Sequence, residues 1–87
     1  MFYVVMATVK PGVTIEDVQT ALEPAMSWYR IAPNVWIINT FESASTWQTR
    51  LKDLVSPTGR LFISRLDTSD RQGWMDKKFW DWLRSHN

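Results

Sequence analysis

Residues 27–40 read Ser27-Trp28-Tyr29-Arg30-Ile31-Ala32-Pro33-Asn34-Val35-Trp36-Ile37-Ile38-Asn39-Thr40, and this stretch decides the fold. Two short runs of β-branched and aromatic residues, 27–31 and 35–40, flank a turn in which Pro33 fixes φ and Asn34 tolerates tight geometry. The pattern is a hairpin of two strands. Working upstream, the apolar, β-branched run from Phe2 to Val9 ends at Lys10-Pro11-Gly12, which reads as a buried strand stopped by a turn. Thr14-Ile15-Glu16-Asp17 has the form of a capping box, with acids where the helix dipole favours them. Ile15, Val18, Leu22 and Ala25 share one side of the helix that follows, and Pro24 stops regular hydrogen bonding near Glu23.

Downstream of the hairpin, Ser43 caps a second helix whose apolar stripe is Ala44, Trp47, Leu51, Leu54 and Val55. Thr46, Thr49, Lys52 and Asp53 form its solvated side. Ser56-Pro57-Thr58-Gly59 ends that helix, 60–66 is a further strand, and 67–73 is a polar turn. A third helix is expected over 74–84, with Met75, Phe79 and Trp82 on one stripe and Leu83 beside it. The order is βαββαβ plus a C-terminal helix. The fold class is therefore α+β: a four-stranded antiparallel sheet with two helices on one face, the ferredoxin-like arrangement. The whole chain, 1–87, is one domain, with a core over 2–67 and a helical extension over 74–84.

Composition narrows the function classes. The 87 residues are 45% apolar and carry a formal charge of +1, from ten Lys/Arg against nine Asp/Glu. That is too apolar for a disordered chain and too neutral to be driven onto nucleic acid by charge alone. No cysteine is present, so disulfides, thiolate metal sites and thiol catalysis are excluded. No apolar run approaches the roughly 20 residues of a membrane span, and Met1-Phe2-Tyr3-Val4-Val5 lacks the basic start of a signal peptide. The expectation is a soluble cytoplasmic protein with no membrane partner. Six Trp, four Phe and two Tyr are many for a domain with so high a surface-to-volume ratio. They either help a small core reach adequate burial or form a surface that another chain covers.

Catalytic patterns are sparse. His86 lies next to the C-terminus, where a fraying tail is expected to supply no fixed partner for catalysis. No G-x-S-x-G turn surrounds any serine, and Gly12, Gly59 and Gly73 are too far apart to cradle a phosphate. Asp67 and Asp70 are three residues apart and could share a divalent cation, although hard-cation sites recruit more oxygens. The simpler account is local capping of a turn. Arg30, Arg60 and Arg65 fall on or beside strands, where arginines near sheet aromatics are how an RNA-recognition motif of the same βαββαβ order stacks bases. The glycine-aromatic signature of that motif is missing from 35–40, so solubilising rim arginines are the plainer reading.

Several segments nevertheless resemble one group of proteins. Tyr3-Val4-Val5 with Lys10-Pro11-Gly12, Ser27-Trp28-Tyr29-Arg30, the run 35–40, Ser43-Ala44 and Gly59-Arg60-Leu61-Phe62-Ile63-Ser64-Arg65-Leu66 look like the small CRISPR adaptation nucleases and their short relatives, which include virulence-associated protein D. The resemblance spans roughly 2–67 and implies a ferredoxin-like fold, commonly a homodimer packed through sheets or edge strands. Short members of such families often travel on mobile elements. Active members carry a metal-holding aspartate near the end of the first strand. The matching position here is Ala7 or Thr8, and no Asp or Glu precedes Glu16. Metal-dependent nuclease activity is therefore not carried over. The C-terminal helix with three tryptophans is a second departure from the group.

The sequence thus leads to a non-catalytic, homodimeric binding module without metal or cofactor, whose partner is a protein rather than nucleic acid. The expected partner-binding residues are Trp80, Trp74, Trp28 and Arg30. Trp80 falls about 140° from Met75 on a helical wheel, near Lys77 and Arg84, outside the stripe that covers the domain's own core. Two alternatives belong to other classes: a metal-dependent nuclease using Asp67 and Asp70, and a small-molecule site in a Trp-lined dimer cleft.

Overall fold

The computed structural model describes residues 1–86. Its elements run β1 (Phe2–Thr8), α1 (Ile15–Ala21), β2 (Ser27–Ala32), β3 (Val35–Asn39), α2 (Ala44–Val55), β4 (Arg60–Leu66) and α3 (Lys77–Ser85). The four strands form one antiparallel sheet in the order β2-β3-β1-β4. This is the ferredoxin-like arrangement. No helix among the described residues is long and apolar enough to cross a membrane.

Alternation along the central strands assigns the two faces. Tyr3, Val5 and Ala7 of β1 and Trp36 and Ile38 of β3 point to the inner face, where they pack with Val18 and Leu22 at α1 and with Trp47, Leu51 and Val55 of α2. The capping box forms: Asp17 N–H donates to Thr14 Oγ1 at 3.2 Å, and Thr14 N–H donates to Asp17 Oδ2 at 2.9 Å. Ser43 caps α2 by accepting from Thr46 N–H at 3.2 Å. The two large buried indoles are both satisfied, as burial demands. Trp36 Nε1–H donates to Gln19 Oε1 at 3.3 Å and Trp47 Nε1–H to Thr40 Oγ1 at 3.2 Å.

Two glycines are required by geometry. Gly12 turns the chain out of β1 at φ +87°, a conformation that suits glycine. Gly59 leads into β4 where a Cβ would lie 1.9 Å from the Thr8 carbonyl oxygen, so no side chain fits. Beside it, Thr8 Oγ1 accepts from Arg60 N–H at 2.8 Å and fastens the end of the β1–β4 ladder.

The third helix departs from its expected start. It begins at Lys77 with Asp76 as N-cap, leaving Trp74 and Met75 in the extended approach, so Met75 is not on the helical stripe and is 37% exposed. The buried pair is Phe79 and Leu83, one turn apart. The helical ladder opens at the Asp76 carbonyl, which accepts from Phe79 and Trp80 N–H at 3.1 and 3.3 Å, while the Asp76 side chain makes no capping bond. The helix packs on the outer face of the sheet, opposite α1 and α2, where Phe79 and Leu83 bury Phe2 and Ile37 with Tyr29, Leu66, Trp80 and Trp82 around them.

Candidate protein-binding surface

The outer face divides into two corners. Its residues, by register and alternation, are Ser27, Tyr29, Ile37, Asn39, Phe2 and Leu66 at one end, and Val4, Met6, Val35, Phe62 and Ser64 towards the other. At the first corner α3 builds an aromatic cluster. Tyr29 meets Phe79 edge-on at 5.4 Å between ring centroids, Phe2 meets Trp82 at 5.8 Å, and the Trp82 indole N–H donates to Ser27 Oγ. Such edge-to-face pairs are the favoured aromatic geometry. At the second corner Phe62 is 57% exposed, and Val4, Met6 and Val35 are half-buried with no helix over them. No charged side chain interrupts these four, and Arg60 stands at the rim.

The four residues singled out from sequence do not form one patch. Trp28 lies on the inner face, packed against the main core. Arg30 is on the same face and is engaged by its own hairpin: Nε–H donates to the Pro33 carbonyl at 3.1 Å, and the guanidinium lies over the Trp36 ring at 5.5 Å. Trp80 is half-buried against its own chain, edge-on to Phe79 at 5.2 Å and over Gly73. Trp74 is fully exposed. The second outer corner escaped the sequence reading because β1 is apolar on both faces. Phe62, flanked by two residues that face the helices, was the signal that could have found it.

The acidic pair is absorbed locally. Asp67 Oδ1 accepts from Ser69 N–H at 2.9 Å, which closes a turn. That bond holds the Asp67 carboxyl below the usual carboxylate range, helped by Arg65. Among the described residues no three of His, Asp and Glu come together as a cation-binding group. Ala7, one of the two positions matching the nuclease aspartate, is fully buried beneath the helices, and Thr8 uses its hydroxyl on Arg60.

The tryptophans do not enclose a common cleft. Trp36 and Trp47 are sealed in the inner core, and Arg50 covers Trp47 at 4.7 Å while pairing with both oxygens of Glu42 at 2.7 Å. Glu42 raises the Arg50 pKa further. An open groove at the end of β4, bordered by Met1, Arg65, Arg71 and His86, has no tryptophan in its walls. Comparison with family models, with curated proteins and with solved structures finds no match for this chain.

Proposed function

We propose that this chain is a non-catalytic, homodimeric binding module that engages an apolar segment of another protein through the uncovered corner of its outer sheet face. The observation that carries the reading is the contrast on that face: α3 buries Phe2 and Ile37, yet Val4, Met6, Val35 and Phe62 are left without a helix over them. A contiguous apolar patch free of charge, with Met6 between Val35 and an exposed aromatic, Phe62, on the edge strand, has the composition of a protein interface. Nucleic acid is the weaker partner. Phe2 and Tyr29, outer-face rings on which bases would stack, lie beneath α3, and the net charge of +1 gives little phosphate attraction. The non-catalytic part is supported by the engagement of Asp67 in its own turn and by the loss of a carboxylate at Ala7 and Thr8.

The test combines mass and binding. Light scattering at tens of micromolar should give twice the chain mass of 10.2 kDa. Apolar peptides selected from a random library on the wild type should then lose at least about tenfold in affinity for Phe62→Ser, roughly 1.4 kcal/mol. Phe62 is largely exposed, so the variant keeps its fold. Peptides that bind both proteins equally would remove the corner from the function.

A further inference from the structure

The sheet has two free edges, and they differ. β2 carries a register shift between Arg30 and Ala32 and runs into Pro33, features that blunt an edge. β4 pairs with β1 over seven consecutive residues, from Arg60 to Leu66, with no shift and no proline. Its free side is set by the ladder. Thr40 N–H donates to the Met1 carbonyl and Ala7 N–H to the Asn34 carbonyl, so odd residues of β1 bond to β3 and even ones face β4. Phe62, Ser64 and Leu66 are the β4 partners of even β1 residues. The N–H and C=O groups of Leu61, Ile63 and Arg65 therefore point outward, with no further strand in the sheet to receive them; the Arg65 carbonyl has a long bond from the Ser64 hydroxyl, at 3.5 Å, and a second lone pair for a partner strand. Beside this edge lies a shallow hollow between β4 and the start of α2, lined by Ala44, Ser45, Gln48, Leu61 and Ile63.

We infer that the β4 edge pairs antiparallel with β4 of a second copy, about a two-fold axis at Ile63, to make one continuous eight-stranded sheet. The inference rests on the dimer reading above and names its interface. Among the two-fold registers, the one that sets Ile63 opposite Ile63 of the second copy sets Leu61 opposite Arg65. It satisfies all six outward backbone groups through hydrogen-bonded pairs. A second copy is the occupant that fits by charge as well. The pairing places no two arginines directly opposite one another, and it brings the Arg60 end of one strand beside the Asp67 end of the other, at both ends of the ribbon. On the outer face, Phe62 lands opposite Ser64 of the second copy, and the two uncovered corners merge into one apolar strip.

The chain has no cysteine, so introduced thiols report the register directly. Hydrogen-bonded pairs hold their Cα atoms about 5.5 Å apart, within disulfide reach. Ile63→Cys should cross-link to itself under mild oxidant. Leu61→Cys alone should not, because its two copies are about 13 Å apart, but it should cross-link when mixed with Arg65→Cys. In the unaltered chain, the Leu61, Ile63 and Arg65 amides should become protected from exchange as concentration rises, while Phe62 and Ser64 are protected throughout. A dimer by light scattering that neither cross-links in this pattern nor protects those amides overturns the edge pairing and leaves the dimer standing. A monomer at tens of micromolar overturns both.

Discussion

The two faces of one sheet are built in different ways. The inner face is a continuous core in which Val5, Ala7, Val18, Leu22, Trp36, Ile38, Trp47 and Leu51 are all fully buried between four strands and two helices. The outer face is covered at one corner only, by a nine-residue helix that touches β2 and relies on a few large rings. Dense burial from many elements makes a unit that opens globally, whereas a single helix held by one aromatic cluster opens locally. α3 is a docked latch on a domain whose stability is set elsewhere.

The largest expected effect tests the inner face. Leu51→Ala should cost roughly 2–5 kcal/mol in urea melts, because the cavity is enclosed on all sides. Lys52→Ala, one residue on and exposed, should stay within about 0.5 kcal/mol. Equal effects would mean that α2 faces the other way. On the outer face, Phe79→Ala should cost less, about 2 kcal/mol, since the loss cannot exceed the free energy of docking α3. Amide exchange sharpens the point: α3 should exchange faster in that variant while α2 is unchanged. Acceleration of both would make the two faces a single cooperative unit.

The smallest effect is electrostatic. Asp81 accepts from Lys77 Nζ at 2.8 Å and pairs with Arg84, and these partners, Lys77 foremost, hold its carboxyl below the ordinary value. A depressed native pKa gives a contribution present above the unfolded value of about 3.9 and lost as pH falls through the lower native one. All three groups are solvent-exposed, so the change is slight. Acid titration followed by NMR should loosen α3 before the inner core responds, and Asp81→Asn should abolish that early step. An early step that survives Asp81→Asn would place its cause outside these pairs.

The strands and the first two helices were legible because their signals are local. Pro33-Asn34 marks the hairpin turn, Thr14 and Ser43 mark helix starts, and Trp47, Leu51 and Val55 recur at helical spacing. The placement of α3 was not legible. A helical wheel shows that Phe79 and Leu83 want cover, but the cover is Phe2 and Ile37, residues more than forty positions away. The candidate surface was hidden for a related reason. In Phe2-Tyr3-Val4-Val5-Met6-Ala7 both alternating sets are apolar, so periodicity cannot say which set meets α1 and α2 and which meets water. Arg30 looked available because the sequence does not show that the guanidinium folds back onto Pro33 and Trp36.

The uneven lodging of the six indoles has an optical consequence. Trp36 and Trp47 sit in an apolar interior with their N–H groups bonded to Gln19 and Thr40, whereas Trp74 is entirely in solvent. Emission from this chain is therefore a composite, with a blue, collision-shielded component from the inner core and a red one from Trp74 that a dissolved quencher such as iodide reaches first. Trp80 and Trp82, clustered around Phe79, fall between the two. The protein carries an internal spectroscopic scale on which the inner core, the α3 cluster and the segment before α3 can be followed separately, with no label attached.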